Sequence, residues 1–209
     1  DVSFDKCYFD SNKCEAPADK YPAGGAIYLR GVSPKLSVTN SCFYNNIAGT
    51  AGGAVNYQRG EQDENQSIEL TFINNVFAYN KLSTTSGAHH GIAINFDWGS
   101  YDKINGKFVL VNNTFFQNCT ENTTQSSIFM NSLKIDLVIV NNIAMDLKAM
   151  PDETKIGFAF VLQENPEAPF HSALVSNNLI EGGIGGGQDY KALEPDASGA
   201  SYGTIGGGV

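Results

Sequence analysis

Apolar residues recur at every second position along several short stretches of the chain, which is the period of a β-strand. The stretches are residues 36–40, 68–74, 108–112 and 137–141, and each ends in Asn. The alternate positions are polar in the first two, except at Ile73, and are filled by valine in the last two. No stretch carries apolar residues at i, i+3, i+4 and i+7 over three turns, and 22 glycines interrupt any helical pattern. The chain is therefore predicted to be all-β.

These strands recur at a nearly constant spacing. The first three terminal asparagines are followed by one or two small or polar residues, an aromatic residue and a second Asn, and weaker copies of this phrase follow further along the chain. The anchoring positions are Asn40, Asn74, Asn112, Asn141 and Ser176, which are separated by 34, 38, 29 and 35 residues. A period in this range is typical of stacked structural units. The sequence predicts a right-handed parallel β-helix, a solenoid of about five to six coils with three strands in each.

A second phrase, Gly-Gly-Ala followed by an apolar residue, begins at Gly24 and at Gly52. Weaker versions occur at residues 90–94, 126–130 and 156–160. Each copy lies between two Asn-terminated stretches and predicts a further strand in that repeat.

The alternation also predicts which side chains face inward and stack on the equivalent side chains of neighbouring coils. The predicted columns are Leu36/Leu70/Phe108/Leu137, then Val38/Phe72/Leu110/Ile139/Leu174, then Tyr8/Phe43/Phe77/Phe115 followed by Ala144 and Leu179.

The repeated asparagines are predicted to have a structural role and not a catalytic one. Asn tolerates the left-handed backbone conformation that a bend between strands requires. Its amide can also bond the equivalent amides in the coils above and below. The predicted ladder, at a buried corner, comprises Asn40, Asn74, Asn112 and Asn141. The same role at the next corner is predicted for Asn46, Asn80 and Asn118.

The length and the repeat predict one β-helix domain over residues 1–209, with a Gly-rich, irregular segment at 183–209. The chain begins inside a repeat, so it is expected to be a segment of a longer chain or of an assembly. A solenoid exposes apolar faces at its ends. A protein partner that caps one end is therefore expected.

The charge balance argues against two classes of partner. The chain has 13 basic and 22 acidic residues and a net charge of −9. Nucleic acid and anionic lipid both require a basic patch, so neither is expected. No run of apolar residues is long enough to predict a transmembrane segment.

Four cysteines leave more than one thiol state open. Cys7 and Cys42 are predicted to share a register on neighbouring coils, with Cα atoms about 4.8 Å apart. Their Cβ vectors would then run parallel, which favours stacked free thiols over a disulfide. Cys14 could instead pair with Cys7, and Cys119 lies at a corner.

The phrases at 24–27 and 52–55, alternating with Phe-x-x-Asn phrases at 43–46, 77–80 and 115–118, resemble the repeats of polymorphic outer-membrane-protein adhesins. Residues 140–143 and 175–180, with the Gly-rich run that follows, resemble closing coils of "choice-of-anchor" bacterial surface proteins in the pectate-lyase-like β-helix superfamily. The resemblance covers about residues 4–183. It implies a secreted or cell-surface binding or structural module, adhesin-like or carbohydrate-associated and non-catalytic.

The alternative is a polysaccharide lyase or a glycoside hydrolase. A lyase needs a base, often Arg or Lys, beside acids that hold Ca²⁺ against a uronate, and a hydrolase needs gathered carboxylates. Arg30 and Arg59 follow the Gly-Gly-Ala strands of adjacent coils and could face the same side. No acid recurs on a strand, so no catalytic residue and no metal ligand is predicted. Ca²⁺ is the one cofactor left open.

The segment 88–102 departs from the repeat and is the predicted binding site for a glycan or a surface protein. Aromatic rings in a loop can stack on sugar rings, and carboxylates can hold hydroxyls or a cation. The predicted binding residues are His89, His90, Asp97, Trp98, Tyr101 and Asp102. The alternative interpretation is a longer surface loop with a partly buried Trp and turn-forming His residues.

Overall fold

A computed structural model describes the chain at residues 1–15, 21–31, 33–59, 66–83, 91–97, 104–118, 127–131, 134–145, 160–163, 172–180, 184–186 and 191–192. Within these ranges the chain forms strands, turns and bends, and no helix. No helix that could span a membrane occurs in this part of the chain. The strands are numbered in chain order.

Four sheets are built from these strands. The first comprises β1 (Val2–Asp5), β5 (Lys35–Thr39), β9 (Gln66–Ile73), β13 (Ile104–Val111), β16 (Lys134–Val140) and β19 (Ser172–Ser176). The second comprises β2 (Tyr8–Asp10), β6 (Cys42–Tyr44), β10 (Val76–Ala78), β14 (Thr114–Phe116), β17 (Ile143–Met145) and β20 (Leu179–Ile180).

The other two sheets complete the repeat. The third comprises β3 (Lys13–Cys14), β7 (Ile47–Ala48) and β11 (Lys81–Leu82). The fourth comprises β4 (Ile27–Gly31), β8 (Val55–Arg59), β12 (Ile94–Asp97), β15 (Ile128–Asn131), β18 (Phe160–Gln163), β21 (Ile184–Gly186) and β22 (Lys191–Ala192).

From β1 to β21, consecutive strands enter different sheets, and equivalent strands of neighbouring repeats pair in parallel. The pair β21–β22 is antiparallel. The prediction of an all-β protein with stacked parallel strands is confirmed, and the arrangement is compatible with a parallel β-helix. The repeats that contain β3, β7 and β11 have four strands each, because these strands form the additional third sheet. The sequence predicted three strands in each repeat. Within the segment 183–209, residues 184–186 and 191–192 lie in strands and are not irregular.

The first predicted column of inward side chains is confirmed. Leu36, Leu70, Phe108 and Leu137 pair in register along the first sheet, and all four are buried. Apolar side chains at alternate positions point to the same face of a strand, so period two in the sequence becomes one continuous core.

The second and third predicted columns are confirmed for their central residues. At their ends the predicted residue is wrong by one position. After Ile139 the second column continues with Val175, which is fully buried, while Leu174 is 52% exposed. The aromatic column begins at Phe9 and not at Tyr8, because Phe9 pairs with Phe43. At its other end Ala144 pairs with Ile180, so Leu179 faces outward.

The asparagines at the corner after the first sheet adopt the predicted backbone conformation. Asn40, Asn74, Asn112 and Asn141 have φ between 50° and 57°, in the left-handed region. Their predicted burial is wrong, because all four side chains are exposed. Asn74 donates to Asn40 at 3.3 Å on the surface. Thr39 and Asn40 both donate hydrogen bonds to the carboxylate of Asp5. These bonds lower the pKa of Asp5, and the bond from Thr39 has the larger effect.

The buried amides belong to the residues that follow these corners. One ladder comprises Ser41, Asn75, Asn113, Asn142 and Asn178, whose members are 34, 38, 29 and 36 residues apart. A second ladder comprises Asn12, Asn46, Asn80 and Asn118. In its middle, Nδ2 of Asn80 donates to Oδ1 of Asn118 at 2.8 Å and to the carbonyl oxygen of Phe43 at 3.0 Å. Buried polar atoms are thereby satisfied between repeats.

The Gly-Gly-Ala phrase is explained by close backbone contact between repeats. Gly24 and Gly52 have φ of 71° and 58°, a region that L side chains rarely adopt. A Cβ on Gly25 would lie 2.1 Å from the carbonyl oxygen of Gly53. The second glycine of the phrase therefore has no room for a side chain.

The predicted register of the cysteines is wrong by one position. Cys42 pairs with Tyr8, and its N–H donates to the carbonyl oxygen of Cys7 at 2.9 Å. Cys7, Cys14 and Cys42 are free thiols. Cys119 lies outside the described residues.

Candidate functional site

Most of the predicted binding segment falls outside the part of the chain that the structure describes. His89, His90, Trp98, Tyr101 and Asp102 lie there. Asp97 is the last residue of β12.

The backbone register places Asp97 next to two polar residues. Asp97 pairs with Gln58, and Gln58 pairs with Arg30, across three neighbouring strands of the fourth sheet. Arg59 pairs with Gly31 and not with the position of Arg30. The two arginines are therefore one register position apart along the sheet and do not occupy equivalent positions, contrary to the expectation from their spacing.

A short amide ladder lies two residues earlier in the same strands. Asn95 donates through Nδ2 to Oδ1 of Asn56 at 2.8 Å and accepts the N–H of Gly91 at 2.9 Å. Both asparagines are fully buried. The equivalent position in β4 is Tyr28, whose hydroxyl donates to Gln58. Among the residues that the structure describes, none accepts a hydrogen bond from Nδ2 of Asn56. The ladder therefore ends at Tyr28 and leaves one buried donor unsatisfied.

Replacing Tyr28 by Asn is expected to stabilise the protein. The carbonyl oxygen of Asn56 faces Asn95, so its Nδ2 points away, toward the earlier repeat that contains Tyr28. An amide at position 28 would supply the missing acceptor, which is worth about 1 kcal/mol. The melting temperature should rise by about 2–4 °C. Thermal unfolding followed by circular dichroism measures this.

Tyr44→Asn is the matched control, because Tyr44 is a similarly exposed tyrosine on the second sheet. It should give no rise in melting temperature. If Tyr28→Asn melts at or below the wild-type temperature, the unsatisfied Nδ2 of Asn56 does not reduce the stability of the wild type.

The outer face of the second sheet was missed by the sequence analysis. Since Phe9, Phe43, Phe77 and Phe115 point inward, their neighbours point outward. This face comprises Tyr8, Asp10, Cys42, Tyr44, Val76, Ala78, Thr114, Phe116, Ile143, Met145 and Leu179. Six of the ten large hydrophobic residues exposed in the described part of the chain lie here. The same alternation that predicted the core could have identified them.

Three aromatic rings form a row along this face. The ring centroid of Tyr79 lies 5.5 Å from that of Tyr44 and 5.6 Å from that of Phe116, and both contacts are edge-to-face. Tyr79 lies at the corner directly after Ala78, the last residue of β10, and has φ of 57°. Met145 pairs with Phe116 in the next strand. We call Tyr44, Tyr79 and Phe116 the aromatic row.

The outer faces of the first and second sheets differ in charge. The first carries an ion pair between Lys35 and Glu69, with Nζ and Oε1 2.8 Å apart, and Lys107 is the next residue in that register. Of the outward positions in the six strands of the second sheet, only Asp10 is charged. Burial of the Cys42 thiol is the main cause that raises its pKa, and the negative charge of the nearby Asp10 adds to it. This thiol therefore stays neutral at physiological pH.

Among the described residues, no three or more His, Cys, Asp or Glu side chains gather in a way that could hold a metal ion. The chain matches no protein-family model, and its comparison with the curated proteins and with the solved structures gives no match.

Proposed function

We propose that the chain is a non-catalytic binding or structural module of a secreted or cell-surface protein, adhesin-like or carbohydrate-associated. Its scaffold is proposed to be a right-handed parallel β-helix of about five to six coils. The parallel pairing of equivalent strands and the two amide ladders support this scaffold.

The outer face of the second sheet carries the proposal. Tyr8 is 63% exposed and Tyr44 is 39% exposed, although a core of stacked phenylalanines lies directly beneath them. Apolar side chains gathered on one exposed face are typical of interaction sites, and aromatic residues are frequent among binding hot spots. The strands fix these side chains before a ligand arrives, which reduces the entropy lost on binding.

The test is the binding of the wild type and of Tyr44→Ala to an array of glycans and to candidate surface proteins. Loss of the exposed ring should weaken binding at least tenfold and leave the melting temperature within a few degrees. Tyr28→Ala is the matched control, because Tyr28 is 45% exposed but lies on the fourth sheet. It should bind like the wild type. No turnover of polysaccharide should be detected with any variant.

Two outcomes would contradict the proposal. If Trp98→Ala loses binding while Tyr44→Ala keeps it, the site lies in the segment 88–102 and not on the second sheet. Release of reducing ends or unsaturated products from a polysaccharide would favour the alternative, a lyase or a glycoside hydrolase.

A further inference from the structure

The outer face of the second sheet is long and narrow. Six strands about 4.8 Å apart make it about 24 Å long, and strands of two or three residues make it about 10 Å wide. The product, about 240 Å², is well below the roughly 800 Å² that each partner contributes to a stable protein interface. The dimensions therefore suit a chain-like ligand better than a globular protein.

A peptide strand lacks its usual means of recognition on this face. Peptides that add to a sheet bind through unpaired backbone groups at its edge. In the middle of the second sheet, β6, β10 and β14 are paired on both sides, so their backbone groups are already used. Only side chains are presented to a ligand here.

The side chains match the two-sided chemistry of a sugar. Tyr8 and Tyr44 offer aromatic rings for the C–H face of a pyranose and hydroxyl groups for its O–H groups. Thr114 adds a half-buried hydroxyl in the same outward column as Tyr8. The spacing of the strands is comparable with the length of one residue in an extended β-linked glycan.

The charge of this face and of the whole chain favours a neutral glycan over an acidic one as the ligand. Of the outward positions in the strands of this sheet, Asp10 alone is charged, and the whole chain carries −9. A polyanionic glycan would be repelled by this field and would find no cation among those outward positions.

We propose that the outer face of the second sheet binds a neutral, extended β-linked glycan that lies lengthwise across the stacked strands. This rests on the proposed binding function and names the class of ligand. One sugar residue is accommodated for each strand, with the aromatic row at the centre of the site.

Isothermal titration with defined oligosaccharides tests the proposal. The probes are the neutral β-1,4-linked hexasaccharides cellohexaose, xylohexaose and mannohexaose, with β-1,4-linked hexamannuronate as the acidic counterpart and maltohexaose as the coiled, α-linked one. At least one neutral β-linked hexamer should bind at least tenfold more tightly than the acidic and the α-linked probes. Its affinity should fall at least tenfold when it is shortened from six residues to two. Tyr44→Ala should weaken this binding at least tenfold, while Tyr28→Ala should not change it.

The outcomes separate this inference from the proposed function. If Tyr44→Ala weakens binding to a protein or to an acidic glycan, and no neutral hexamer binds, the face is a binding site and the ligand class is wrong. If a neutral hexamer binds without dependence on chain length, the lengthwise placement is wrong. If no ligand shows binding that depends on Tyr44, both proposals fail.

Discussion

Replacing Asn80 by Ala is expected to lower the free energy of unfolding by about 3–6 kcal/mol. Oδ1 of Asn80 accepts both the backbone N–H and Nδ2 of Asn46, and its own Nδ2 donates to the carbonyl oxygen of Phe43. These partners are buried between repeats, so water cannot replace the lost bonds. Each unsatisfied group costs about 1–3 kcal/mol. Domains are stable by only about 5–15 kcal/mol, so the variant should be close to unfolding.

Urea denaturation of Asn80→Ala and of Asn74→Gly measures the difference. Asn74 is exposed and has φ of 57°, which glycine adopts without strain. Its replacement should change the free energy of unfolding by no more than about 0.5 kcal/mol. Equal losses in the two variants would mean that the assignment of the buried ladder is wrong.

The strands and the middle of the core could be predicted because burial imposes a simple period. Glu69 and Thr71 flank Leu70, and Thr71 separates it from Phe72, so only one choice of face buries both apolar side chains and leaves the polar ones outside. The same residues pair with Phe108 and Leu110 in the next repeat. Period two and a constant step along the chain are enough to define such a column.

At the ends of the columns, two adjacent apolar residues make the choice of face ambiguous. Leu174 is followed by Val175, and Tyr8 is followed by Phe9. Hydrophobicity does not distinguish the members of such a pair, and a shift of one residue reverses the face. The corner decides the register in the structure, because Asn177, with φ of 54°, takes the position of Asn141. The sequence analysis had aligned Ser176 there.

The two consecutive asparagines at each corner have separate tasks that composition does not reveal. The first, as in Asn74, provides the left-handed bend and faces solvent. The second, as in Asn75, points inward and donates to Asn113 and to the carbonyl oxygen of Val38. Both tasks favour Asn, so at the corner after the first sheet the sequence predicts a ladder but assigns it to the wrong residue of the pair. At the next corner the predicted residues do form the buried ladder.

The candidate site was missed for a different reason. The segment 88–102 stands out in the sequence because it departs from the repeat, whereas the aromatic row follows the repeat. Tyr44 and Phe116 occupy the same outward position of equivalent strands. Their outward direction follows from the inward direction of Phe43 and Phe115. Tyr79 could not be placed in this way, because it lies at a corner between two strands.

Replacing Phe77 by Ala is expected to cost about 3–5 kcal/mol of stability. Its ring is fully buried and stacks between Phe43 and Phe115, with centroids 4.7 Å and 4.9 Å away and interplanar angles of 3° and 2°. Truncation removes both stacking contacts and leaves a cavity that the rigid backbone ladder on either side cannot close. Phe77→Leu keeps much of the volume and should cost less.

Val76→Ala provides the matched comparison, because Val76 is the adjacent residue and is 40% exposed on the outer face. Its cost should stay below about 1 kcal/mol, since little apolar area is lost from contact with the core. Denaturation of the three variants in urea gives the order Phe77→Ala, Phe77→Leu, Val76→Ala from least to most stable. If Val76→Ala were as unstable as Phe77→Ala, the assignment of the inward and outward faces of the second sheet would be wrong. The position assigned to the aromatic row would then be wrong as well.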